Sequence, residues 1–209
     1  MRVIDLTHTV KENMPVYPGT EQPKLTVANT YETDLFKETL ITMFSHTGTH
    51  IDPPAHIFKN GATLDSFDVS QFVGKATVID CKGLKDGDEI TLDMVDTEKS
   101  KDAEFLLFNL GWDEKWDSEE YFGNYPCLSD DALDYIIQGD FKGIGFDVIG
   151  LDPIGSLYRH QKLFSKKKII NIENLKNLHL LIGEEFTLVC LPIKVENSDG
   201  APCRAIAIL

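Results

Sequence analysis

The 209-residue chain has no CxxC pair and no apolar run long enough to span a membrane. Basic residues are scarce: 20 Lys and Arg stand against 34 Asp and Glu, a formal net charge of −14. Such an acidic surface repels phosphate backbones and anionic lipid, which excludes nucleic acid and membrane as partners. Cys81, Cys127, Cys190 and Cys203 are scattered and read as free, mostly buried thiols. There is no G-x-S-x-G elbow, which disfavours a serine hydrolase. Residues 82–120 hold thirteen acidic and five basic residues but no EF-hand spacing, so they read as a solvated face rather than a calcium site. No linker, repeat or low-complexity tract interrupts the chain. Its one basic run, Lys166-Lys167-Lys168, reads as a solvated strand entry. Asp5 stands where a signal peptide would be apolar, so a cytoplasmic protein is expected.

Histidine is abundant in one place. Three of the six histidines and one aspartate fall in Ser45-His46-Thr47-Gly48-Thr49-His50-Ile51-Asp52-Pro53-Pro54-Ala55-His56. The spacing is H-x3-H-x-D-x3-H. Neutral imidazoles and carboxylates are ligands for zinc, manganese or iron. Gly48, the β-branched threonines and the two prolines argue against a helix. In an extended chain, His46, His50, Asp52 and His56 share one side because their separations are even. Any one of these histidines alone would more simply be structural, but four such side chains together read as a metal site.

The rest of the chain alternates strand and helix signals. Strands are expected over 3–6, 24–31, 38–44, 75–80, 105–110, 142–149, 168–173, 186–195 and 203–209. Met14-Pro15-Val16-Tyr17-Pro18-Gly19 must be a loop. Thr91 and Ser129 are candidate N-caps, and Gly139 a helix stop. Asp152-Pro153 is expected to open a helix, with proline at its first position. Asp199-Gly200 is a hairpin signal. The fold class is α/β, one mixed-sheet domain over 1–209, and pattern alone leaves the strand order open.

The string H-T-G-T-H-I-D-P-P-A-H closely resembles the signature of the cyclase-like metal-dependent hydrolases, a family that includes bacterial kynurenine formamidase (arylformamidase) and isatin hydrolase. The resemblance extends from Ile4-Asp5-Leu6 to Arg204. It takes in the M-P-x-aromatic-P-G loop, the Gly111-Trp112 step, and an aspartate run matched by Asp147 and Asp152, with Gly150 where a serine is usual. It implies a swivelling β/β/α fold and homodimers or higher oligomers. It also implies a second ligand cluster, matched here by His160 and Glu173. Tyr17 is then either a substrate contact or loop packing, and Trp112 and Trp116 either pocket wall or core. His8 and His179 match no motif position and are assigned to structure.

On that basis His46, His50 and Asp52 are expected to hold one ion, and His160 and Glu173 a second, with Asp52 bridging. Zinc is the first expectation and manganese the second. His56 is left as the general acid/base, since imidazole titrates near neutrality. The expected reaction is hydrolysis of a small amide, first N-formyl-L-kynurenine. The alternatives are opening of an isatin-type cyclic amide, or metal binding without turnover.

Overall fold

The structure, a computed structural model, describes residues 1–165 and 168–209, so only Lys168 of the basic run lies among the described residues. The strands are β1 (Val3–Asp5), β2 (Lys24–Asn29), β3 (Glu38–Thr42), β4 (His50–Asp52), β5 (Val73–Asp80), β6 (Glu89–Ile90), β7 (Phe105–Asn109), β8 (Cys127–Leu128), β9 (Gly143–Phe146), β10 (Ile170–Glu173), β11 (Phe186–Pro192) and β12 (Ala201–Ile208). Eight form one mixed sheet in the order β1-β12-β11-β5-β7-β9-β10-β4. β4 also pairs with β12, which closes the sheet into a barrel-like wall. β5, β7, β9 and β10 run parallel, and β4 joins β10 antiparallel. The fold is α/β, as expected.

Period-two alternation sorts the strand side chains into two apolar cores. Ile51, Val78, Phe105, Leu107, Ile172 and Leu188 fill the inside of the barrel. Leu106, Phe108, Ile144 and Phe146 face outward, in one cluster with Leu133 and Ile136 of the helix Asp130–Gln138. Ser129 caps that helix by accepting the Ala132 N–H at 3.3 Å, and Gly139 ends it. All four cysteines are free and buried.

Several local expectations are corrected. The strand expected over 24–31 stops at Asn29, and Tyr31–Asp34 forms one helical turn. β2 and β3 make a separate ribbon outside the main sheet, with β3 exposed along its whole length. The helix expected at Asp152-Pro153 begins only at Tyr158. Gly155, at φ +89°, takes a left-handed conformation that a right-handed helix cannot pass through. Nor does Asp199-Gly200 form a two-residue hairpin. The β11–β12 ladder ends at Pro192 opposite Cys203, leaving a loop over 193–200 in which Asn197 adopts the positive φ.

One consequence of the alternation positions the site. On β10, Ile170 and Ile172 turn into the barrel, so Asn171 and Glu173 turn out; on β4, Ile51 turns in, so His50 and Asp52 turn out. The register sets Glu173 opposite His50 and Asn171 opposite Asp52.

Candidate metal centre

The outer face of β4 and β10 is the floor of the site, and flanking segments bring the other side chains to it. The histidine motif is not extended throughout: only His50–Asp52 is strand, and Pro54–His56 is a 3-10 turn. Gly48 turns the chain before the strand at φ +66°, and Pro53-Pro54 fix the path after it. The turns still converge the four side chains. The His46 ring centroid lies 4.0 Å from that of His56 and 5.1 Å from that of His50. His160 arrives from the helix Tyr158–Phe164, its ring 6.1 Å from His56.

Asp52 lies between two trios. Its Oδ1 is 2.7 Å from His46 Nδ1 and 3.2 Å from His50 Nε2. Its Oδ2 is 3.6 Å from His160 Nε2, which in turn is 3.3 Å from Glu173 Oε1. Glu173 Oε2 also reaches 3.5 Å from His50 Nε2. The donor atoms within His46–His50–Asp52, and within Asp52–His160–Glu173, all lie within 4.8 Å of one another. A third group, His46–His56–Asp199, meets the same measure at the exposed rim.

Residues outside the expected ligand set orient the imidazoles. His50 Nδ1–H donates to Gly48 O at 2.9 Å, leaving Nε2 toward the carboxylates. His160 Nδ1–H donates to Asp152 Oδ2 at 2.8 Å, with the same result. Asn171 Nδ2 donates to Asp52 Oδ2 at 3.2 Å and to Glu173 Oε1 at 2.8 Å. The Leu151 N–H donates to Glu173 Oε1 at 3.1 Å. Asn174 Nδ2 donates to Gly48 O at 2.8 Å. The sequence reading missed these roles. The signal for Asn171 was there, since it sits two positions from Glu173 in a strand and must share its face.

Electrostatics fit a cation. Burial opposes charge on His50, but Asp52 and Glu173 outweigh it and push its pKa up to about 9. His160 is likewise desolvated, yet Asp152, Asp52 and Glu173 raise it well above the usual value. Burial works against ionising Asp52, but His50, His160 and His46 hold its carboxyl well below the usual range. Glu173 is raised, by burial and then by the Asp52 charge. Without an ion, protons on the imidazoles balance the buried carboxylates. A divalent cation would supply that balance in place of the protons, with the Nε2 atoms of His50 and His160 free to hold it. Two donors about 2.0–2.1 Å from a tetrahedral ion stand roughly 3.3–3.4 Å apart. Within the two trios the 3.2 Å His50–Asp52 and 3.3 Å His160–Glu173 separations match that spacing, while His46 Nδ1 stands closer to Asp52 Oδ1, at 2.7 Å. The ring of His56 lies 4.0 Å from that of His46, and the residue as a whole is exposed. Desolvation is the main effect on it, and with the three other imidazoles it outweighs Asp52 and pulls the pKa down to about 4. His56 is therefore neutral at pH 7, the form a proton acceptor needs.

The remaining candidates fall elsewhere. The Tyr17 hydroxyl accepts the Gly155 N–H at 2.8 Å, which ties its loop to the segment before the His160 helix. Trp112 is core, its Nε1–H donating to Tyr121 O at 3.0 Å. Trp116 stacks on His8 with centroids 3.9 Å apart. Asp147 is buried and accepts the Leu110 and Trp112 N–H groups, a structural cap on the Gly111 turn. Arg204 is clamped to Asp5 by two hydrogen bonds of 2.9 and 2.8 Å.

Together these features define an α/β protein with an imidazole–carboxylate centre suited to divalent cations on its barrel wall. A family model described as putative cyclase matches residues 4–153. The chain belongs to that family. It is 30% identical to a kynurenine formamidase of Bacillus cereus over 206 residues, 97% of this chain and 95% of the relative. Isatin hydrolase A from Labrenzia aggregata, solved with benzyl benzoate, superposes with a TM-score of 0.86 at 25% identity, over 99% of this chain and 93% of that one. A potential metal-dependent hydrolase with cyclase activity superposes at 0.80 and 29% identity, over 99% and 96%. Among the described residues no helix is long and apolar enough to cross a membrane.

Proposed function

We propose that this chain is a metal-dependent hydrolase of a small amide C–N bond, and specifically an arylformamidase that converts N-formyl-L-kynurenine and water to L-kynurenine and formate. The observation that carries the hydrolase class is Asp52, with one oxygen facing His46 and His50 and the other facing His160. The 30% identity to the Bacillus cereus kynurenine formamidase supports the substrate.

His46, His50 and Asp52 would hold one ion and Asp52, His160 and Glu173 another, zinc first and manganese as the alternative. An ion held there would lower the pKa of a bound water and polarise a carbonyl. The chain's own residues do the rest. His56, neutral and at the rim, takes the proton from the attacking water and returns it to the leaving aniline nitrogen. Asp152 and Gly48 O keep the ligand imidazoles in the tautomer that points Nε2 inward. Tyr17 is the candidate contact for the substrate's outer part.

The chain acts as one domain over 1–209 and as a homodimer or higher homo-oligomer in the cytoplasm. The dimer is supported by the exposed β2–β3 ribbon, where Leu35, Phe36, Leu40, Ile41 and Phe44 stand in solvent. The cytoplasm suits four free thiols. The likeness to isatin hydrolase A supports a second reading, opening of a cyclic amide. A paired assay of formylkynurenine against isatin, with zinc and then manganese, separates the two. Formate release is expected. Ring opening of isatin without formate release would replace the first reading by the second.

A further inference from the structure

Four of the five proposed ligands are fixed from within the protein. Gly48 O holds His50, Asp152 holds His160, and Asn171 spans Asp52 and Glu173. His46 is the exception. Its side chain is 22% exposed, and its far nitrogen meets the 193–200 loop: Nε2 lies 3.3 Å from Oδ2 of Asp199, itself 57% exposed. Its near nitrogen, Nδ1, faces Asp52. The next residue, Gly200, is closed down on the same ring. A Cβ at 200 would stand 2.6 Å from His46 Nε2 and 2.9 Å from Nδ1, and closer still to Cε1. Any side chain there displaces the imidazole. The loop end is itself anchored, because Ser198 Oγ–H donates to Gly200 O at 2.6 Å and Ser198 O accepts the Leu64 N–H at 3.1 Å.

We propose that Asp199 and Gly200 are a positioning pair for His46. Asp199 accepts the Nε2 proton, so that Nδ1 presents its lone pair beside Asp52, and Gly200 leaves the ring room to lie there. A carboxylate on the far nitrogen of a ligating imidazole fixes both its tautomer and its orientation. The proposal rests on the reading of His46, His50 and Asp52 as ligands, and it makes their ion the weaker and more exchangeable of the two. One of its three ligands is anchored by a solvent-exposed loop, whereas Asp52, His160 and Glu173 are all buried.

The test is zinc titration calorimetry on the metal-free full-length protein, with thermal unfolding of each metal-free form alongside. Wild type is expected to take up two equivalents in separable steps. Asp199→Ala should weaken only the weaker step, by about ten- to a hundredfold. Asp199→Asn, which keeps an acceptor oxygen, should recover most of that loss. Gly200→Ala should abolish the weaker step and leave the tighter one. The metal-free Tm of Asp199→Ala should equal that of wild type, which separates positioning from general damage. An unchanged weaker step in Asp199→Ala overturns the proposal, as does loss of both steps together in that variant, or a single wild-type equivalent that neither variant weakens. Wild-type protein that takes up no zinc sinks the ligand reading itself instead.

Discussion

Glu173 stands directly across the β10–β4 ladder from His50, with Oε2 3.5 Å from Nε2. Two residues 123 positions apart in sequence thus meet because two short strands pair in one register. A slip of one residue would bring Ile51 and Ile172 to the site and bury the imidazole and carboxylates in the barrel.

That geometry separates two histidines of one motif. His50→Ala removes a buried proposed ligand and should lose metal and activity together. His56 sits at the rim and should be dispensable for metal: His56→Ala should retain it and lose roughly 10²–10⁴-fold in kcat. Elemental analysis and turnover on the same samples check both. If His56→Ala sheds metal as readily as His50→Ala, then His56 is a ligand.

Much of this site was legible in the sequence, for identifiable reasons. The motif concentrates His46, His50, Asp52 and His56 within eleven residues, too many ligand-type side chains in one short segment to read as chance. The even spacing of His50 and Asp52 gave their common face correctly, because those two lie in a strand. It gave His46 and His56 for the wrong reason, since Gly48 and Pro53-Pro54 bend the chain and turns converge the rings. His160 and Glu173 were reachable only through the family resemblance, because tertiary pairing rather than spacing brings them in. The strand order, the barrel closure through β12–β4, and the outer partners Asp152, Asn171 and Asp199 depend on long-range register, which periodicity does not encode. The helix start at Tyr158 was missed because Gly155 breaks a segment that Asp152-Pro153 would otherwise open.

Asp152 does two jobs. It accepts His160 Nδ1–H at 2.8 Å, and it caps the helix by accepting the Arg159 and His160 backbone N–H groups at 2.8 and 3.0 Å. Asp152→Ala should therefore lower metal affinity by about 10–100-fold and also cost about 1 kcal/mol of stability. Asp152→Asn, which keeps an acceptor, should restore the stability more fully than the affinity. Denaturant melts and metal titration measure the two separately; equal recovery of both would mean that capping alone explains the effect.

Gly61 holds the turn that carries His56. Its N–H donates to Phe58 O at 2.8 Å, and Ala62 O accepts the Ala55 N–H at 3.1 Å. A Cβ at 61 would collide with the Pro54 carbonyl group and Ala55 N, which are backbone atoms with nowhere to go. Gly61→Ala should cost about 1–3 kcal/mol by overpacking. It should also lower kcat by moving His56, while metal content stays at the wild-type level. Wild-type turnover in this variant would show that His56 does not depend on the turn.

His8 is buried and stacked on Trp116, and its Nε2 finds no hydrogen-bond partner among the described residues. Desolvation, with Lys176 and Lys11 adding to it, outweighs Asp117 and Asp5 and lowers its pKa to about 4. An unfolded histidine protonates near 6.5. Between those two values the unfolded chain binds the proton and the native one does not, so stability falls as pH falls. The loss begins below about 6.5 and is complete near the folded value of about 4. His8→Phe keeps an aromatic face for Trp116 and removes the proton site. Its Tm should change little near neutral pH relative to wild type and should gain on wild type steadily as the pH approaches 4. Taking the difference between the two proteins cancels the protonation of the metal-site histidines, which both share. Parallel Tm curves for the two proteins across that range would mean that His8 is charged in the folded state or already solvated.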